Sequence, residues 1–156
     1  MISHVEGAVL VDDAERVGGP GIDAVVRELR RCVARVAVVR ASSETTRAPL
    51  LQVHAALVRC EAAAVLVVGT PHFARSADEM LALLALAPTS GPRVVAPATA
   101  GGPEVLFAVY RKSLLAELDR ARAEGRHSSS DLGALVERAE PLLVPREALL
   151  REGAQP

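Results

Sequence analysis

The chain has 156 residues, half of them apolar, with a formal net charge of −1 and 2% aromatic residues. That length suits one domain with a full core, while the balanced charge and scarce aromatics exclude the basic face and stacking platforms of a nucleic-acid binder. No apolar segment is long enough to span a membrane and Met1-Ile2-Ser3-His4 does not begin a signal peptide, so a cytoplasmic protein is expected.

In chain order, Gly7 to Val11 is a short apolar run that reads as a first strand and ends at Asp12-Asp13. Val17-Gly18-Gly19-Pro20-Gly21 is a turn whose proline suits the first position of a helix. Ile22, Val25, Val26, Leu29 and Val33 then share one helical face, with Arg27, Arg30 and Arg31 outside. Val36 to Val39 reads as a second buried strand and Ala41 to Arg47 as polar loop. From Pro49 to Arg59, Leu50, His54, Leu57 and Val58 recur at helical spacing.

The run Ala63-Ala64-Val65-Leu66-Val67-Val68 has no alternation, as suits a central strand buried on both faces. Gly69-Thr70-Pro71 ends it. Ser76-Ala77-Asp78-Glu79 reads as a capping box that starts the helix carrying Met80, Leu81, Leu83 and Leu84. In an open α/β sheet the loop after a central strand is where ligands bind, which singles out Thr70 to Phe73.

Pro88 to Pro92 is loop, Arg93 to Ala96 a short strand, and Thr99 to Pro103 a flexible turn. Val105 to Tyr110 is rich in strand formers. Ser113 to Glu124 reads as an amphipathic helix with Leu114, Leu115 and Leu118 inward, stopped by Gly125. Ser130-Asp131 caps a short helix to Arg138, Leu142 to Val144 is a last strand, and Pro145 opens a terminal helical turn. Strands alternating with helices mean an α/β protein with a largely parallel sheet. Cys32 and Cys60 lack metal-ligand spacing and fall within helical patterns, so reduced, packed thiols are expected.

The residues resemble a known family. Val65-Leu66-Val67-Val68-Gly69-Thr70-Pro71-His72-Phe73 resembles the "VLVVACDMPFL" segment of the molybdenum cofactor guanylyltransferase (MobA-like) nucleotidyltransferases, and Val105 to Leu115 resembles their "PLFALYRRSLLPAL". Val17 to Ile22 with Val36 to Val39, and Glu124 to Leu135 with Leu143-Val144-Pro145, are similar to further sections of the same group. The resemblance implies a three-layer α/β/α sandwich with a Rossmann-like, mostly parallel sheet of the nucleotidyltransferase (GT-A-like) type, in which the strand at Val105 to Tyr110 runs antiparallel.

Three departures cut against the family's reaction. The glycine-rich loop after its first strand wraps the triphosphate and supplies a lysine; here Asp12 to Arg16 is too short for it, and Lys112 is the sole lysine. Charge neutralisation is the main contribution of such a loop. The family's metal aspartate is matched by Thr70, a weak neutral ligand for a hard cation, and its proline by His72, whose imidazole suits transition metals better than Mg²⁺. Ala48-Pro49-Leu50-Leu51-Gln52 lacks both glycines of the family's "GPLAG", which let a base approach the backbone.

The candidate cleft therefore comprises Asp12, Asp13, Arg16, Thr70 and His72, with no catalytic residue assigned and Mg²⁺ relevant only if nucleotide binding survives. His72 reads either as a ligand contact or general base, or, more plainly, as a solvated loop histidine. Asp12-Asp13 reads as a metal pair or as polar residues ending a strand. His54, on an apolar helical face, reads as a packing histidine. Gly101-Gly102 reads as a ligand-closing loop or a plain turn, and Arg126-His127-Ser128-Ser129-Ser130 as an anion site or as loop plus N-cap. Three functional classes follow: a non-catalytic homologue binding a small molecule or a protein, a diverged transferase using Asp12, Asp13 and His72, or an assembly subunit, either as a homo-oligomer or with a full-length transferase.

Overall fold

The computed structural model describes residues 4–11, 20–40, 48–88 and 91–149. Its strands are β1 (Val5–Val11), β2 (Val36–Arg40), β3 (Ala64–Gly69), β4 (Val94–Thr99), β5 (Gly102–Pro103), β6 (Phe107–Arg111) and β7 (Leu142–Val144). Its helices are α1 (Pro20–Arg30), α2 (Pro49–Arg59), α3 (Ala77–Leu86), α4 (Leu115–Ala123) and α5 (Ser129–Arg138), with single 3₁₀ turns at Thr70–His72 and Lys112–Leu114.

The sheet order is β2-β1-β3-β6-β4-β5, with β7 paired to β4. β1, β2 and β3 are mutually parallel, β6 lies antiparallel between β3 and β4, and β7 is parallel to β4. The sheet is thus mixed but mostly parallel, with β5 and β6 running against the rest.

β3 occupies the centre because its sequence tolerates nothing else. Val65 and Val67 enter one core cluster, against α2, α4 and α5, while Leu66 and Val68 enter the other, against α1 and α3. All four are fully buried, so neither face of the strand meets water and the apolar run is unbroken. These two clusters are the interfaces of an α/β/α sandwich.

Several boundaries and faces differ from the sequence reading. β2 is an edge strand, with Val36, Ala37 and Val38 only half-buried, because nothing pairs beyond it among the described residues. Its outward Val38 carbonyl accepts a hydrogen bond from Arg59 Nη1 at 2.7 Å, which blunts the open edge. Val58, read at the helical spacing of Leu50, His54 and Leu57, is exposed, as is Leu81, since each sits one position off the stripe its helix buries. The loop 41–47 lies outside the described residues, as does the turn before Pro20.

The helix starts show what local pattern catches and misses. Ser76 Oγ accepts from Glu79 N at 3.2 Å as a capping box requires, but Glu79 turns its carboxylate to Arg75 instead of completing the box. The next amide, Ala77 N, is instead satisfied from α1, where Glu28 accepts from it at 2.6 Å. α5 is capped by Ser128, not Ser130: Ser128 and Asp131 satisfy each other's backbone amides in a full capping box. Cys32 and Cys60 are free, buried thiols, as expected of packing residues.

Candidate functional site

β1 leads through α1 to β2 on one side, whereas β3 leads through α3 to β4 on the other. The crevice outside the C-terminal ends of β1 and β3 is therefore the switch point where open α/β sheets bind ligands. Leu10 pairs with Gly69 across it. Gly69 is required there, because a Cβ would lie 2.9 Å from Leu106 Cβ, while its N–H donates to the Leu106 carbonyl at 2.7 Å.

The 3₁₀ turn at Thr70–His72 brings the two predicted residues together at this tip. Thr70 Oγ1 donates to the Leu10 carbonyl at 3.4 Å, tying β3 back onto β1. His72 is not the solvated histidine of the plainer sequence reading: its side chain is only 9% exposed. Its Nε2 lies 3.0 Å from Glu104 Oε1, and its ring stacks on Phe107 with centroids 5.7 Å apart. Arg75 Nε donates to His72 Nδ1 at 3.4 Å, and the Arg75 guanidinium lies 4.8 Å from the Phe107 ring centroid. Arg75 in turn pairs with Glu79 at 2.7 Å.

The order of donors fixes the tautomer. Arginine can only donate, so Nδ1 accepts and the ring proton sits on Nε2, directed at the Glu104 carboxylate. Both ring nitrogens are committed within a chain from Glu104 through His72 and Arg75 to Glu79. Glu104 is delivered by the β4–β5 hairpin, its N–H donating to the Pro97 carbonyl at 2.9 Å. Ala100-Gly101 makes the turn of that hairpin, and Gly102, the first residue of β5, has φ +117°, where a side chain is strained.

Asp12, Asp13 and Arg16 lie outside the described residues. The described donors at the crevice do not fit Mg²⁺: they are a hydroxyl given to a carbonyl and an imidazole engaged at both nitrogens, where that cation takes carboxylate and water oxygens. Among the described residues no group of three His, Cys, Asp or Glu is placed to hold a metal. The first turn of α2, expected to fill the space a base would need, buries Leu50 completely and leaves Gln52 7% exposed; Leu50 N donates to the His127 carbonyl at 3.3 Å. The N-terminus of α5 is filled by its own Asp131, whose carboxyl is held below the usual range by the Ser128 hydroxyl and amide. His54 is mostly buried against α4 and pairs with Asp119.

Sequence reasoning missed Glu104, Arg75 and Phe107. Phe107 was visible as a strand residue, and Arg75 as the residue before the capping serine. Glu104 had no local signal, because its role depends on a hairpin that returns it to β3.

Sheet order, switch point and layers together define an α/β protein with a nucleotidyltransferase-like fold. Molybdopterin-guanine dinucleotide biosynthesis protein A from Archaeoglobus fulgidus shares it, with 18% identity over 94% of this chain and 86% of that chain and a TM-score of 0.69. So does 2-C-methyl-D-erythritol 4-phosphate cytidylyltransferase from Thermus thermophilus, with 17% identity over 94% and 97% of the two chains and a TM-score of 0.62. A protein of Aquifex aeolicus aligns at 16% identity over 96% and 91%, with a TM-score of 0.70. No family model and no curated protein sequence matches the chain. At such identities the likeness carries the fold alone.

Proposed function

We propose that this chain is a non-catalytic, MobA-like relative of the nucleotidyltransferases, whose switch-point crevice takes a small ligand or a partner protein without transferring a nucleotidyl group. One observation carries the reading. Lys112, the only lysine in the sequence, follows β6, and its N–H donates to the Ala63 carbonyl at 2.8 Å, at the start of β3. The crevice is at the other end of β3, about 17 Å away by strand rise. A triphosphate brings about four negative charges that fixed cations and metal must offset, and no lysine of this chain stands where it would serve. The engaged Thr70 and His72 support the same reading. A link to molybdenum cofactor metabolism rests on the resemblance and on the Archaeoglobus neighbour.

The alternative is a diverged transferase that uses GTP or CTP with Mg²⁺, and the activities named for two of the fold neighbours favour it. Pyrophosphate release from GTP and CTP, with Mg²⁺ or Mn²⁺, decides between them. The expected result is no release above the protein-free control, in the wild type or in Thr70→Asp. Turnover by the wild type that disappears in Asp12→Ala would overturn the non-catalytic reading.

A further inference from the structure

At the other end of the sheet a second cavity, of about 300 Å³, is lined by Arg93, Glu117, Arg120, Arg126 and Arg138. The register explains how they meet. Val94 pairs with Tyr110 and Tyr110 with Val65, so Arg93, just before β4, is level with the start of β3 and away from the switch point. α4 contributes Glu117 and Arg120, the turn after it Arg126, and the end of α5 Arg138.

The lining carries four guanidinium groups and one carboxylate. Glu117 Oε1 is bonded to Arg93 Nη1, and Arg126 Nη2 to Glu124. Among the described residues Arg120 and Arg138 form no ion pair, so positive charge remains in excess. Two atoms are left over: Glu117 Oε2, an acceptor, and Arg126 Nε, a donor, are both buried without a hydrogen-bond partner among the described residues. Buried polar groups of this kind are nearly always satisfied, and leaving one unmade costs more than a typical bond gains. The Arg93 hydrogen bond holds the Glu117 carboxyl below the usual carboxylate range, so near neutral pH it accepts and does not donate.

An occupant that completes this lining brings negative charge to Arg120 and Arg138, an acceptor to Arg126 Nε, and a donor to Glu117 Oε2. We propose that the cavity binds a small dianion carrying a hydroxyl group, its anionic end on the guanidinium groups and its hydroxyl donating to Glu117 Oε2. The volume suits a compact metabolite. A phosphate monoester and a hydroxylated dicarboxylate share the required chemistry.

Calorimetric titration of the full chain with glycerol 3-phosphate, malate, sulfate and glycerol separates the cases. Saturable binding of glycerol 3-phosphate identifies a phosphate monoester site, and of malate a dicarboxylate site. Sulfate, a dianion with no hydroxyl, is expected to bind about tenfold more weakly than the preferred dianion, since it forfeits the ligand hydroxyl bonded to Glu117, and glycerol not at all. Arg126→Lys keeps the charge but removes the Nε donor, and should weaken binding about tenfold. Arg138→Ala, on an exposed side chain, should weaken it with no change in melting temperature. Arg27→Ala, on the opposite layer, should leave it unchanged. Failure of both dianions to bind, or wild-type affinity in both Arg126→Lys and Arg138→Ala, would overturn the proposal. The outcome is independent of the nucleotide assay, which reads the other end of the sheet.

Discussion

Cys32 and Cys60 show how a residue's surroundings set its chemistry. Cys32 donates its thiol hydrogen to the Glu28 and Ala77 carbonyls at 3.4 and 3.5 Å. Burial, with Glu28 adding to it, pushes Cys32 up to about 11; burial and then Glu6 push Cys60 up to about 11. Burial, aided by Glu104, also pushes Tyr110 up, and its hydroxyl donates to the Val105 carbonyl at 2.6 Å. For an acid whose folded pKa lies above its unfolded value, the unfolded chain gives up the proton first as pH rises. Stability is therefore level below about pH 9 and falls as pH climbs toward about 11. Urea midpoints should drop between pH 9 and 11, and drop less in the Cys32→Ala, Cys60→Ala double variant. A flat profile in the wild type would show that these groups are not protected.

At the scale of elements, the cap of α5 separates sequence pattern from actual hydrogen bonding. Three serines stand in a row at Ser128 to Ser130, and only Ser128 accepts from the Asp131 amide, at 3.1 Å. Ser128→Ala should destabilise the protein by about 1 kcal/mol, the usual loss for an N-cap. Ser130→Ala, inside the first turn and exposed, should be close to neutral. Chemical denaturation of the two variants checks this, and equal effects would move the cap. α3 differs, because Glu28 from α1 supplies part of its start, so its stability is tied to the docking of α1.

The whole molecule is organised around β3, which both layers cover. Val67 faces the cluster of α2, α4 and α5 and is fully buried. Val67→Asp should unfold the chain or lower its stability by several kcal/mol, because an unpaired carboxylate there has no partner, against a total of roughly 5–15 kcal/mol. A variant melting within a few degrees of the wild type would contradict the central placement. The same topology separates two ends of the sheet. The switch-point crevice lies at one end; Lys112 and the arginine-lined cavity lie at the other. In the described residues no helix is long and apolar enough to cross a membrane.

The sequence by itself determined the features that local pattern encodes. The unbroken run at Val65 to Val68 specified a strand with two dry faces, Pro49 and Arg59 bounded α2, and Leu142 to Val144 formed its strand as read. These follow from periodicity and burial along a few consecutive residues. Only the tertiary structure decided that β2 is an edge, that β5 exists, that His72 is sealed between Glu104 and Arg75, and that five charged side chains from just before β4, from α4 and the turn after it, and from α5 share a cavity. Each of these depends on groups far apart in the chain that meet through sheet register and helix docking. A residue such as Glu104 carries no trace of its partner in its neighbours, because that partner is chosen by the return path of a hairpin.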